Sequence, residues 1–587
     1  MLAAGLAVYS NSFKAPFHYD DRILISENDK LPGLKLFLEK EIFTSNRPIL
    51  LLTFALNYSL GGETPFGYHL INLIFHILTA FLIYLILTEI FLRMHLDNCL
   101  FPALLASLVF LTHPLATESV TYISSRSSVM SGFFYLLALY FFIKACNKKK
   151  RYFIYSAGSF ISFLLSIGCK EIAITLPVAF LLFDYYFISG EGGERISVNF
   201  KLFHLPLIVT AFFIILLKFK FALSLSSPDM AQRDFLSHIF SSGFAVIFYL
   251  IKFFLPTDLN LDPDFPLIDS VIDLRFIISF LIMLALLVIS KKNYPKAKLI
   301  SFSILWFFLT LFPHLFIRLK DIMAERWLYL ALAGFGFFAA GLLASLKSGA
   351  FSVKHGDRFY IPVAVVTVFV ILFFSIETRS RNEIWGSGIS LWSDAVKKSP
   401  GKFRPYNNLG EAYAAEGEDD RAIEAYRKAL ELNTQAERVL YNLGNVYSRR
   451  GEVSAAIDAY NSAIEINPAY AKAYNNLGSL YLKNGDYEKA KENFLKAIKL
   501  EPRFPQAYNN LGNAYSKSGN SSKAILEYMK AVKIGPNYAT AHYNLAGEFY
   551  KMRYYRGALK ELEIAARLSP SPLYLEKLEE VKRKMKG

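Results

Sequence analysis

Asn475-Asn476-Leu477-Gly478-Ser479-Leu480-Tyr481 has counterparts 34 residues to either side, at Leu443-Gly444 with Tyr447 and at Asn509-Asn510-Leu511-Gly512 with Tyr515. The same step reaches Leu409-Gly410 with Tyr413 and Leu545-Ala546 with Phe549. Two alanine series keep it: Ala422, Ala456, Ala490, Ala524 and Ala558, and seven residues further on Ala429, Ala463, Ala497, Ala531 and Ala565. Proline closes most units, at Pro400, Pro468, Pro502, Pro536 and Pro570, with Thr434 the exception. A fixed period with small residues at constant offsets and a helix-ending proline specifies a two-helix unit that stacks on copies of itself. The C-terminal part of the chain is therefore an α-solenoid.

This is the tetratricopeptide pattern, and it assigns five repeats to residues 403–570. Trp392 and Ala395 stand one period before Tyr426 and Ala429. Ser387 to Lys398 thus reads as a lone second helix within a linker, 381–402, that starts the stack. Pro572 to Lys586, charged and amphipathic, reads as the capping helix of segment 571–587. Asparagines recur on the first helix of each unit, in the pairs Asn407-Asn408, Asn475-Asn476 and Asn509-Asn510 and singly at Asn442 and Asn544. The carboxamides of Asn408, Asn442, Asn476, Asn510 and Asn544 suit a clamp on an extended peptide backbone. Solvated positions without a ligand are the alternative reading.

Upstream the texture changes. Of 587 residues 53% are hydrophobic, and the mean hydropathy is +0.31, which is too apolar for a soluble protein and too long for one domain. Residues 1–380 read as a polytopic membrane domain, all-α like the repeats. Apolar runs fall at Phe66 to Leu92, Leu100 to Leu111, Val129 to Ala145 and Tyr152 to Ile167. Eight more cover most of the stretch from Ile172 to Ile376 or, with Met1 to Phe13, open the chain. That first run is shorter than a span, so a start further upstream is expected. The net charge of +15 fits positively charged cytoplasmic loops, and no basic surface interleaved with aromatics points to nucleic acid. Cys99, Cys146 and Cys169 are too scattered for a disulfide framework or a zinc site.

Basic clusters at Lys144 with Lys148 to Arg151, at Lys291 to Lys298 and at Lys347, Lys354 and Arg358 mark the cytoplasmic side. Five runs separate the first two, so one run does not cross; Asp234 to Leu255, read as interfacial or re-entrant, is chosen. About eleven crossings follow, with the N-terminus inside and the C-terminus outside. The loops bearing Asp20-Asp21, His113 to Arg126 and Asp321 to Arg326 then share the outer face with the repeats. Ionisable residues at that depth are costly and mark sites. The acid pair Asp20-Asp21 offers a general base or, less readily, a metal ligand, although a helix cap or turn is the plain alternative. Arg126 and Arg326 offer guanidinium groups for a phosphate at the membrane edge. His113, Glu118, Glu325 and the pair Lys170-Glu171 accompany them as supporting residues, the last equally readable as a self-neutralised pair. His69, Asn72 and His76 share a helical face and suit helix-helix hydrogen bonding better than metal.

The order Pro16-Phe17-His18-Tyr19-Asp20-Asp21-Arg22, Asn46-Arg47-Pro48, Gly67 to Asn72 with His76, His113-Pro114 with Glu118 and Arg126, Cys169-Lys170-Glu171, and Met323 to Leu330 resembles the transmembrane and tetratricopeptide-repeat protein O-mannosyltransferases and their prokaryotic relatives, polytopic glycosyltransferases of GT-C type. The resemblance implies a polyprenyl-phosphate-linked sugar as donor substrate and transfer at the outer face to serine or threonine hydroxyls of an extracytoplasmic protein or peptide recruited by the repeats. It gives the acid role to Asp20 and Asp21 and the departing lipid phosphate to Arg126 and Arg326, with Glu118 steadying an arginine or facing the acceptor. A hexose, with mannose favoured, is the expected sugar. No resident cofactor or metal is expected, and the compact loops suggest a bacterial plasma membrane. The competing readings are a non-catalytic membrane scaffold for protein assembly and a transferase acting on polysaccharide or lipid acceptors.

Overall fold

The computed structural model describes residues 1–26, 34, 38, 45–96, 100–147, 151–188, 204–224, 234–294, 296–317, 321–347 and 356–586. Its contacts divide the chain into two units, Met1–Ser399 and Pro400–Gly587. No strand occurs among the described residues.

The first unit is built from α1 (Leu2–Tyr9), α2 (Pro48–Gly61), α3 (Pro65–Arg93), α4 (Leu100–Thr112), the short α5 (Thr117–Thr121), α6 (Arg126–Asn147), α7 (Tyr152–Cys169), α8 (Leu176–Phe183), α9 (Leu205–Ser224), α10 (Phe235–Phe254), α11 (Leu274–Asn293), α12 (Lys298–Phe316), α13 (Tyr329–Lys347), α14 (Gly356–Ile384) and α15 (Gly388–Lys398). Among the described residues nine helices are long and apolar enough to cross a membrane, or ten if α4 and the Pro114–Thr121 segment, bent by 51°, make one span. Proline starts α2 and α3 in the first turn, where its missing N–H breaks no helical bond. Helix α13 is central, with 72% of its apolar window buried, and α11 is peripheral, with 11%. A continuous aliphatic and aromatic core runs from α3 through α6 to α13.

Small polar side chains join these helices where lipid supplies no hydrophobic drive for association. Ser166 Oγ donates to Ser131 O at 2.8 Å and Ser159 Oγ to Ala138 O at 2.9 Å, closing the α6–α7 hairpin. The α3 face carrying His69, Asn72 and His76 is a helix-joining face. His69 Nε2 donates to Ala15 O at 2.9 Å, Asn72 Nδ2 to Val120 O at 3.1 Å, and His76 Nε2 to Leu111 O at 3.0 Å.

Two expectations change. The segment 234–255, read as interfacial, contains the 20-residue helix α10, whose length and hydropathy meet the requirement for a span. Its serine, glycine and alanine positions are buried against neighbouring helices. The lone helix expected to begin the stack forms at Gly388–Lys398 but belongs to the first unit. Lys398 Nζ donates to Leu259 O at 2.8 Å and Ser399 Oγ to Asp262 O at 2.9 Å. Lys148 to Lys150 and Lys354 of the basic clusters, and Cys99, lie outside the described residues.

The second unit consists of five antiparallel helix pairs, from Phe403–Ala415 with Asp419–Leu432 to Ala539–Lys551 with Tyr555–Leu568, closed by Pro572–Lys586. Leu578 and Val581 of that last helix are buried with Ala558 and Leu562 of the fifth pair. The recurring glycine is a close approach: a Cβ on Gly444 would stand 2.7 Å from the ring of Tyr460. Gly547, by contrast, has nothing within 4 Å of such an atom. In thermal unfolding of the full chain, Gly444→Val is expected to cost about 1–3 kcal/mol by overpacking, while Gly547→Ala stabilises by about 0.5–1 kcal/mol through helix propensity.

Candidate active site

The loop after α1 brings the two acids into different surroundings. Tyr19 turns it in the left-handed region at φ 40°, a conformation disfavoured for a bulky residue and held here by its flanks. His18, buried and pushed down to about 4 by burial, donates through Nε2 to Trp385 O at 2.7 Å. Asp21 is 1% exposed. Its carboxylate accepts from His18 N at 3.0 Å and Ser124 N at 2.6 Å, tying the loop to the start of α6. Burial pushes its carboxyl up to about 7 against these two donors. Asp20 is half-buried, its N–H donates to the Tyr122 hydroxyl at 3.1 Å, and no described residue donates to its carboxylate.

A second group lies beyond Tyr122. Glu118, completely buried, accepts from Arg326 N at 3.0 Å and Nη1 at 2.7 Å. Burial acts to lower Arg326, but the Glu118 carboxylate outweighs it and raises the guanidinium above its ordinary value, and Tyr122 acts on it in the same sense. The Arg326 side chain remains 29% exposed. Lys170 donates to Ser128 Oγ at 2.7 Å. Burial first, then the charges of Arg47 and Arg326, push its ammonium down to about 7. Glu171 pairs with Arg47 at 3.1 Å, and among the described residues the ammonium of Lys170 is met by Ser128 and not by an ion pair with Glu171. Three cations, Arg47, Lys170 and Arg326, thus share a field with Glu118 and Glu171. Arg47 was visible only as part of a motif; nothing in its spacing marked it as a partner of residues more than a hundred positions away.

Arg126 is placed otherwise than expected. It is 0% exposed, and four donor contacts tie it to the fold: Nε to Asn72 Oδ1 at 2.8 Å, Nη1 to Asn57 Oδ1 at 2.7 Å and Thr53 Oγ1 at 3.2 Å, and Nη2 to Tyr68 O at 2.9 Å. Its guanidinium also lies 4.6 Å from the centroid of Phe54. In this arrangement Arg126 is a clamp between α2, α3 and α6, its donors engaged by the fold. His113 is likewise internal, with Nε2 donating to Phe253 O at 3.0 Å while Nδ1 accepts from Leu115 N at 3.2 Å.

Glu325 supports from behind. Its carboxylate accepts from Arg381 Nη2 at 2.7 Å and from Asn260 N at 2.6 Å, and burial pushes its carboxyl up while Arg381 opposes. Arg381 in turn donates to Leu259 O at 2.6 Å. Ala324 N donates to the Tyr249 hydroxyl at 3.0 Å, so residues 324–326 are held from α5, α10 and α14 at once.

In the repeats the asparagines form a ladder. Asn442 Nδ2 donates to Asn407 Oδ1 at 3.1 Å and Glu411 Oε1 at 2.8 Å. Asn476 gives both amide hydrogens to Tyr441 and Asn445, Asn510 to Asn475 and Ser479, and Asn544 to Asn509 and Asn513. Asn408 is buried and accepts from Asn407. The donors of Asn442, Asn476, Asn510 and Asn544 thus join one repeat to the preceding one, whereas the Asn408 amide nitrogen is buried with no partner among the described residues. A cleft of about 870 Å³ lies instead at the first two repeats, lined among others by Tyr406, Tyr413, Arg421, Arg427 and Tyr447.

Fold and site together define a polytopic helical membrane domain with a charged site, carrying a tetratricopeptide solenoid. The family described as dolichyl-phosphate-mannose-protein mannosyltransferase matches residues 46–218, and tetratricopeptide families match 410–451, 444–485, 478–519 and 505–538. Protein O-mannosyl-transferase TMTC3 of Homo sapiens is 25% identical over 472 residues, which cover 72% of this chain and 50% of that protein. Protein O-mannosyl-transferase tmtc2 of Xenopus laevis is 26% identical over 542 residues, covering 75% of this chain and 63% of that protein. The chain therefore spans half to just under two thirds of the curated relatives it matches. A solved structure of MamA is 32% identical, covering 28% of this chain and 95% of that one, with a TM-score of 0.25. These matches agree with the resemblance read from the motifs: a stretch similar to the mannosyltransferase family is followed by tetratricopeptide repeats. The family match includes Arg47, Glu118, Arg126, Lys170 and Glu171 and leaves out the acid loop and Arg326.

Two outcomes separate framework from chemistry. Arg381→Ala, which strands the buried Glu325 carboxylate, is expected to cost about 3–5 kcal/mol in thermal unfolding, and Glu325→Gln made with it recovers part of that. The Asp21 carboxyl lies at about 7 in the fold against 3.8 unperturbed, so the native state holds its proton longer than the unfolded chain. Its contribution therefore falls as pH rises from about 4 to about 7, and Asp21→Asn should flatten the stability profile over that window.

Proposed function

We propose that the chain is a membrane glycosyltransferase that moves a hexose, mannose in the first instance, from a polyprenyl-phosphate carrier to serine and threonine hydroxyls of extracytoplasmic proteins recruited by the repeats. The observation that carries this reading is the group of cations Arg47, Lys170 and Arg326 about Glu118 and Glu171, linked through Tyr122, which acts on Arg326, to Asp20, whose N–H donates to the Tyr122 hydroxyl and whose carboxylate has no donor among the described residues. The named relatives and the family match support the sugar and the protein acceptor. The basic loop clusters support an outer-face site.

In this mechanism Asp20 takes the proton of the acceptor hydroxyl as its oxygen attacks the anomeric carbon. The new C–O bond forms as the bond from that carbon to the phosphate oxygen breaks, and the lipid phosphate leaves with the bonding pair. Arg326, oriented by Glu118, receives the growing charge with Lys170 and Arg47, a task for which preorganised cations need no rearrangement. Asp21 holds the loop that carries Asp20. Because the donors of Asn442, Asn476, Asn510 and Asn544 belong to the inter-repeat ladder, these asparagines support a rigid solenoid, and acceptor capture falls to other faces of the stack.

The test is transfer of labelled mannose from polyprenyl-phosphate mannose to delipidated membrane protein. Asp20→Asn is expected to lower the rate by about 10²-fold or more at unchanged protein level, and Arg326→Ala to raise the donor KM about 10- to 100-fold by loss of a charged hydrogen bond. Equal transfer by wild type and Asp20→Asn would remove Asp20 from the reaction. Lys170, near 7, is charged below that value and neutral above it, so donor binding weakens as pH rises through about 7, and Lys170→Arg keeps binding flat.

A further inference from the structure

Beside the cations lies an aromatic pair, Trp327 buried and His314 half-buried, whose imidazole the mechanism leaves unused. His314, in the last turn of α12, stacks on Trp327 with ring centroids 4.7 Å apart and planes 6° from parallel. Trp327 directly follows Arg326, and α12 packs against residues 171–175, which directly follow Lys170. The charges of Lys170, Arg326 and Glu171 all act on the imidazole. Both its nitrogens are sealed from the surface, and neither has a hydrogen-bond partner among the described residues. His18, His69, His76 and His113 differ: each uses a ring nitrogen on a backbone carbonyl.

A buried polar atom left unmet costs about 1–3 kcal/mol, and such groups in native structures mark unfilled partners. A neutral imidazole presents one N–H and one lone pair, so a ligand must both accept and donate to meet it. The phosphodiester that joins a sugar to a polyprenol has acceptor oxygens only. A hexose hydroxyl does both, and the hexose is attached to the phosphate for which the neighbouring cations are suited. We propose that His314, braced by Trp327, binds hydroxyl groups of the lipid-borne hexose and so helps to select the donor sugar. The inference rests on the transfer reading above.

The test uses the full chain in detergent, with thermal stabilisation by polyprenyl-phosphate mannose and by bare polyprenyl phosphate as two separate ligands. His314→Phe keeps the stack and removes both polar atoms; His314→Gln restores a donor and an acceptor. The phenylalanine variant is expected to bind the mannosylated lipid about tenfold more weakly, the scale of one buried hydrogen bond, with bare polyprenyl phosphate unaffected. The glutamine variant should return to within about threefold of wild type. Unchanged binding of the mannosylated lipid by His314→Phe overturns the inference, and so does an equal loss for both lipids, which would put the imidazole on the phosphate. Failure of wild type to bind either lipid overturns the transfer reading itself. His314→Leu is read in the same way should the phenylalanine variant not fold.

Discussion

A carboxylate removed from water must be met by charge and hydrogen bonds, and Glu118 is where this constraint shapes the structure most. None of its surface is exposed, and it receives both the backbone N–H and the guanidinium of Arg326, 208 positions away in the chain. Its ion pair therefore fixes the 3₁₀ turn Glu325–Trp327 against the α5 segment. Breaking such a pair in a low-dielectric interior leaves an unmatched charge, so the two segments are locked in register. Glu325 repeats the device one residue earlier, through Arg381 and Asn260.

The same constraint sorts the ionisable groups into two kinds. Arg126, Asp21, Glu325 and His113 have their polar atoms engaged by neighbouring backbone or side chains; they build the framework. Asp20, whose carboxylate has no donor among the described residues, and Arg326, whose side chain is only partly enclosed, are less completely engaged, and Arg47 and Lys170 make fewer contacts than Arg126. Arginine is well suited to both parts, because its planar fork satisfies several acceptors when enclosed and still binds oxyanions when open.

The solenoid is governed by steric fit more than by charge. Each recurring glycine admits the ring of the following helix, at Tyr426, Tyr460, Phe494 and Tyr528, closer than any Cβ would allow. The asparagine ladder then links each first helix to the one before it, so the 34-residue period serves packing and polar satisfaction together.

Much of this was legible in the residues. The 34-residue period determined the five helix pairs because each unit repeats the same local packing problem, and the apolar runs determined most of the long helices because a span must be about 20 residues of low polarity. The motifs carried the family resemblance, including the acid pair. Sequence left Asp20 and Asp21 equivalent; tertiary structure separated them, since burial and the donors from His18 and Ser124 reach only Asp21. It also took Arg126 out of the surface, brought Arg47 to Glu171, gave Glu118 to Arg326 and turned the asparagines toward one another. Periodicity and hydropathy are local properties that survive in a linear chain. Which cation stays open and which is enclosed depends on partners tens to hundreds of residues away, and only the packed helices decide that.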